Sequence, residues 1–475
     1  MRQLLACTLL PVLVSLHGCS SSSNNNVDDD PCEVATLVSD AWSGIGSGDP
    51  RSITAVDGKL YYQANDGVHG EELWVYDPAT GASLLADIVP GSGGGDPRGL
   101  TVLDGELYFS ANDEILGREL WRYDIDDPTA GASLIADINP GSLSSGPGSF
   151  IALGDKLFFV AYDEVHGSEP RIFDPESGVA LLADTRPGER GAFIGGLVIL
   201  NDKLYFTGHD GDGIRLWVYD PSAAALSTID VGTVLMSFGG GPSQLTVFDE
   251  KLFFTANGGV SGDELWVYDE VNGATLAADI NIGSGSSDPY GMTILDGKLY
   301  LAADDGVTGD ELWVYDPATG GATLVADIYP GSSPGLISET MVVMDGRLYF
   351  VARDDVNGRE LREYDPQSGE IKLIADIVPG VGGIGDDDPE PPSDLMVFDG
   401  TLYFSAHNGE AGRVRALWSY TPITGPLMIN EAWPGTGITR MPRTTTELDD
   451  LVYFSVDDGV HGYELWVYDG ACAGT

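Results

Sequence analysis

Basic side chains are scarce in this sequence: 23 lysines and arginines stand against 74 aspartates and glutamates, a formal charge of −51. That imbalance excludes nucleic acid and anionic lipid as partners, because both are repelled by an acidic surface. It favours solubility, cations or a saline habitat. Long apolar runs are lacking too. The run from Leu4 to Leu16 falls short of the ~20 residues a spanning helix needs, and no later stretch is longer. No segment repeats its apolar residues with helical period, which argues against an α or α/β fold. Neither a His-Glu-x-x-His zinc motif nor a phosphate-binding loop is present. The hydrophobic fraction of 43% still suffices to bury a core, so the charge does not imply disorder.

Cysteine is limited to four positions. Cys7 lies in an N-terminal segment with Arg2, the apolar run and the ending Leu16-His17-Gly18-Cys19, which reads as a secretory leader over residues 1–18. Leu-x-Gly-Cys resembles the bacterial lipobox, and the resemblance implies cleavage before Cys19 and lipid attachment there. Residues 19–31, rich in Ser, Asn and Asp, then read as a flexible tether, and Ser20 resembles an outer-membrane sorting signal. The expected location is outside the cytoplasm, lipid-anchored at the outer membrane or cell surface, with no other membrane contact.

From residue 32 onward the chain repeats itself. The motif Lys59-Leu60-Tyr61-Tyr62 recurs with its leucine position at 60, 107, 157, 204, 252, 299, 348, 402 and 452, at steps of 47 to 54 residues. Such a period marks solenoids and propellers. Each copy holds four short strand-like runs, A to D, shown by the sixth: Met292–Leu295, Lys298–Ala302, Glu311–Tyr315 and Ala322–Asp327. Asp296-Gly297 between A and B is a tight hairpin signal. The apolar runs do not alternate with polar residues, which suits strands buried on both faces. The expected fold is therefore all-β: one propeller of nine four-stranded blades over residues 32–475, an open arc or another blade count being the lesser alternatives.

The string Gly309-Asp310-Glu311-Leu312-Trp313-Val314-Tyr315-Asp316, followed by Ala326-Asp327-Ile328-Tyr329-Pro330-Gly331-Ser332, resembles the bacterial ELWxxDGT repeat family. Asp-Pro-Ala-Thr-Gly replaces the family's Asp-Gly-Thr, changing a turn and not the strands. The resemblance covers about residues 33 to 470 and implies a surface or secreted repeat protein of no established activity.

The last copy ends after strand C, while Ala35 to Asp40 matches the strand D segment Ala322 to Asp327. The N-terminal strand is thus expected to complete the last blade and remove an exposed edge. Cys32 and Cys472 flank that junction and are expected to form a disulfide in an oxidising compartment.

Binding residues are expected on the face carrying the B–C and D–A loops, which vary, whereas the A–B and C–D hairpins repeat. Three acidic ladders recur. One, in the B–C loops, includes Asp66, Asp113, Asp305 and Asp458; a second opens strand C at Glu72 and its counterparts; a third closes strand D at Asp87 and its counterparts. They read either as Ca²⁺ ligands, one ion per blade, or as carboxylates accepting backbone N–H bonds in tight turns. The strand C tryptophans, such as Trp74 and Trp313, read as inter-blade packing, whereas Trp42 and Trp433 lie in D–A loops at the seam and are candidates for stacking on a sugar or peptide. Arg353, Arg359, Arg413 and Arg415 gather on blades 7 and 8. They form an anion or partner site, or else pair with Asp386, Asp387 and Asp388. The expected function is a monomeric, non-catalytic scaffold binding a protein, glycan or cation, with Ca²⁺ as the sole candidate cofactor. A propeller glycoside hydrolase or lyase and a purely structural envelope component are the alternatives.

Overall fold

A computed structural model of the chain describes residues 36–44, 46–188, 190–231, 241–336, 340–377, 392–407, 415–428, 444–449, 451–458 and 460–468. They form nine separate four-stranded antiparallel sheets, each running A-B-C-D in space and eight of them in sequence order as well, and no helix occurs among them. The nine sheets form a nine-bladed β-propeller, the first of the expected alternatives. The sixth blade comprises Tyr290–Leu295, Lys298–Asp304, Asp310–Tyr315 and Ala322–Ala326.

The ninth sheet joins the first and last strands of the described residues. Its strands A, B and C are Thr445–Leu448, Leu451–Asp457 and Tyr463–Tyr468, and its outer strand is Thr36–Ser39. The register sets Thr36 opposite Val467 and Leu37 opposite Trp466. Cys32 and Cys472 lie outside the described residues, so the expected disulfide is not placed.

Strands A of neighbouring blades lie side by side around the axis. The Thr54 hydroxyl donates to the Leu100 carbonyl at 3.3 Å, Thr293 to Met341 at 3.2 Å, and Thr446 of the last blade to Ile53 of the first at 3.3 Å. The final bond closes the ring. Strand A also carries a β-bulge that was not legible in the sequence. Its second residue has positive φ in seven blades, at Ser52, Gly99, Ser149, Gly196, Gln244, Gly291 and Asp394, and the extra residue bends the innermost strand where it meets its neighbours.

Burial explains the unbroken apolar runs. Leu60, Tyr61 and Tyr62 are all at most 3% exposed although successive side chains point to opposite faces, because each blade is covered on both sides. The core is accordingly a set of inter-blade layers. One joins Tyr300 and Leu312 of blade 6 to Leu348 and Phe350 of blade 7; another joins Leu60 and Trp74 of blade 1 to Tyr453 and Leu465 of blade 9. Asp57-Gly58 and Asp296-Gly297 take positive φ at both positions, as a type I′ hairpin turn requires.

Leu37 packs on the layer between blades 8 and 9, beside Trp466. Leu37→Asp is expected to cost about 2–4 kcal/mol in urea unfolding, since it places a carboxylate in that layer and weakens the closing strand. Unchanged stability would show that the ring does not depend on this strand.

Candidate functional site

The B–C and D–A loops share one face of the ring, and buried glutamates organise it. Glu72, Glu119, Glu169, Glu264, Glu311, Glu360 and Glu464 open strand C and are at most 3% exposed. Each reaches the D–A loop that leaves its own blade. Glu72 accepts N–H bonds from Ile88, Val89 and Gly95 at 2.8–3.0 Å, and Glu464 does the same with Ala41 and Gly48. Glu119, Glu169 and Glu264 add a hydroxyl donor, from Ser145, Thr185 and Ser287. Room for the carboxylate comes from glycine: a Cβ on Gly48 or Gly335 would lie 2.2–2.5 Å from the oxygens of Glu464 or Glu311.

The loop so held bridges two blades. Asp96 N–H donates to the Glu71 carbonyl of blade 1, and Asn112 N–H of blade 2 donates to the Gly95 carbonyl, both at 2.8 Å. The same pair of bonds recurs at Ser287 and Asp288 and at Gly335 and Leu336. Main-chain hydrogen bonds therefore run across these blade junctions on the loop face.

Burial pushes Glu72, Glu311 and Glu464 up to about 7 despite their N–H donors, with Asp87, Asp327 and Asp40 adding like charge. These aspartates belong to the third ladder.

The B–C aspartates do local work. Asp66 accepts from the N–H groups of Val68 and His69, Asp113 from Ile115 and Leu116, Asp305 from Val307 and Thr308, and Asp458 from Val460 and His461, all at 2.6–2.9 Å. Each thus closes its own turn, the role Asp fills well in such loops. Among the described residues, no three His, Cys, Asp or Glu side chains gather closely enough to hold a metal. Between the two readings of this ladder, the geometry accords with turn closure. The imidazoles of His69, His166 and His461 sit on Asp66, Asp163 and Asp458 within the same turns.

Two blades replace the strand C tryptophan with arginine. Arg171 and Arg362 are 7% exposed and pair with Asp163 and Asp354 of the neighbouring turns. Burial raises those two aspartates, but hydrogen bonds from the turn and from the arginine outweigh it, leaving both at about 2. Arg353 and Arg359 behave otherwise. They sit directly opposite each other at the ends of strands B and C, and Arg353 lies 4.8 Å over the Tyr329 ring. Neither has a carboxylate partner among the described residues. Arg415 holds the matching register position opposite His407 in blade 8. Arg413, Trp433 and Asp386 to Asp388 lie outside the described residues.

Trp42 is 39% exposed. Its indole fills the space where a Cβ on Gly46 or Gly67 would sit, so it covers the seam between blades 9 and 1 while one part stays open. Where blade 7 carries the arginine pair, the junction of blades 5 and 6 carries an acidic group. Asp263, Asp288, Asp304 and Asp310 gather there, and burial followed by mutual repulsion raises Asp288 and Asp310. Arg118 fills the position of Asp310 in blade 2 and binds Asp96 at 2.5 Å, so the acidic group arises from substitution within the repeat. The string Gly331-Ser332-Ser333-Pro334-Gly335 has the spacing of a hydrolase nucleophile turn but lies in a D–A loop, with no helix behind it among the described residues.

A second feature of this face escaped the sequence reading. Val68, Ile115, Val165, Val260, Val307, Val356 and Val460 hold one position at the tips of seven B–C loops, and six of them are 62–82% exposed. In six of the seven the signal was present as a β-branched residue two places after the ladder aspartate, and Val260, which follows Gly258, lacks it.

No family model and no curated protein matches the chain. Among solved structures it is similar to a puromycin hydrolase, at 15% identity and a TM-score of 0.37 over 78% of this chain and 60% of that one. It is also similar to TolB from Acinetobacter baumannii (14% identity, TM-score 0.30, 68% of this chain and 75% of that one). The propeller domain of the Trilobed protease from Pyrococcus furiosus is a third (13%, 0.31, 69% and 95%). The chain spans about 60% of the length of the puromycin hydrolase.

Glu72→Gln is expected to lose about 2–4 kcal/mol although it is isosteric, because the amide group turns a donor toward the loop N–H groups. Stability should also depend on pH in a definite sense. A carboxyl raised to about 7 in the fold favours folding below its ordinary pKa near 4.5, and that contribution is lost as pH rises through 7. Asp163 and Asp354, held at about 2, act oppositely and withdraw stability only below about pH 4. In ~1 M salt, where surface repulsion is screened, the urea midpoint should fall from pH 5 to pH 8. A midpoint rising over that range contradicts the assignment.

Proposed function

We propose that this chain is an exported, lipid-anchored member of the ELWxxDGT repeat family that binds a ligand, without catalysis, through its B–C/D–A loop face. The observation that carries the reading is the distribution of non-repeated residues. Blade-specific charges such as Asp310, Arg353 and Arg359 gather on this face, at the strand ends beside the loops held by the buried glutamates, while the opposite hairpins repeat. A rigid scaffold with variable residues at its loop face is the arrangement expected of a binding module. Cys19 supplies the anchor, Cys32 and Cys472 the clasp, and the protein acts as a monomer. Calcium remains the one cofactor worth adding to assays.

A second reading, a carboxylate-based glycosidase, draws on the raised Asp288 and Asp310, which stand outside all three ladders. Hydrolysis of a polysaccharide that is abolished by Asp310→Asn would establish it.

The leading reading is tested with the mature chain carrying Cys19→Ser, in calcium, on an array of glycans and of peptides of varied charge. A ligand is expected whose hydrogen-exchange footprint covers the B–C and D–A loops. Finding no ligand, or a footprint on the A–B and C–D hairpins, would refute it.

A further inference from the structure

Eighteen large apolar side chains are exposed among the described residues, and twelve of them stand on the loop face. Only Val271 and Ile423 occupy turns on the opposite face. This asymmetry is not a folding requirement. At six of the seven crown positions it is the backbone N–H that completes the turn, as when Val68 and Val307 donate to Asp66 and Asp305, while the side chain points into solvent. Any residue would serve there, and a polar one would be usual. Isolated exposed valines need no explanation, but a repeated ring of them on one face does.

We infer that this apolar crown is a docking surface for a protein partner that presents apolar side chains among basic ones. Charge selects that occupant. Exposed carboxylates stand beside the crown at Glu114, Glu164 and Asp355, and the fourth blade places Asp212 at the crown position itself. A second copy of a chain with charge −51, or an anionic bilayer, meets repulsion over the same area. Strand direction also argues against a membrane. The closing strand runs from Thr36 at the hairpin face toward the D–A loop at Asp40, because Thr36 pairs with Val467 and Ser39 with Leu465. On the lipid-anchor reading, which this inference assumes, the tether joins the ring at the hairpin face and the crown is presented away from the bilayer.

The probes are two peptides of equal length and charge, one of lysine and leucine, one of lysine and serine, titrated onto the mature chain carrying Cys19→Ser. The leucine peptide is expected to bind at least tenfold more tightly. Adding Val68→Ser, Val165→Ser, Val307→Ser and Val356→Ser should weaken it tenfold, about 1.4 kcal/mol, leaving the serine peptide and the melting temperature unchanged. Equal binding of the two peptides, or indifference to the four substitutions, overturns the inference. So does crown-dependent sedimentation with phosphatidylglycerol vesicles or crown-dependent dimerisation. A loop-face ligand insensitive to the crown would sink this inference while leaving the proposed function intact.

Discussion

The ring depends on one interaction repeated around it: a buried glutamate at the start of strand C accepting main-chain N–H bonds from the loop that leads to the next blade. Each such loop would otherwise bring several N–H groups out of water without partners, a cost of about 1–3 kcal/mol apiece. One carboxylate meets two or three of them, as Glu72 does for Ile88, Val89 and Gly95. Held there, the loop lends its own carbonyls and N–H groups to strand C behind it and strand B ahead. The glutamate therefore joins blades as well as ordering a loop. Its elevated pKa reflects the opposing cost of taking a carboxylate out of water.

Blade count and closure were legible because they rest on periodic features. The leucine of strand B is buried on every blade, so its recurrence marks each one, and the match of Ala35–Asp40 to Ala322–Asp327 gave away the exchanged strand. The roles of the acidic ladders were less legible. Sequence shows that Glu72 and Asp66 recur, but a carboxylate binding calcium and one binding backbone N–H groups look alike until their neighbours are in place. The strand A bulge left no trace, since Ser, Gly, Gln and Asp all occupy it. Arg171 and Arg362 stand in sequence where other blades have the strand C tryptophan. That each reaches back to its own turn aspartate could be seen only in three dimensions.

On the proposed binding role, the ligand meets both the residues where the repeat lapses and the repeated crown. The acidic group at Asp288 and Asp310, the arginine pair at 353 and 359, and the seam tryptophan Trp42 share one face with the apolar crown. Backbone hydrogen bonds between blades keep these side chains at fixed separations, which limits the ordering a ligand must impose on the surface it meets. The opposite face is built of the A–B and C–D hairpins, with type I′ turns such as Asp57-Gly58 and Asp296-Gly297 among the former.

Amide hydrogen exchange at the loop N–H groups tests the central claim most directly. If the buried glutamates hold the loops, the amides of Ile88, Val89 and Gly95 exchange within about tenfold of the strand B amides of the same blade, as one cooperative unit. Exchange at the rate of free loops, with strand B still protected, would contradict the account.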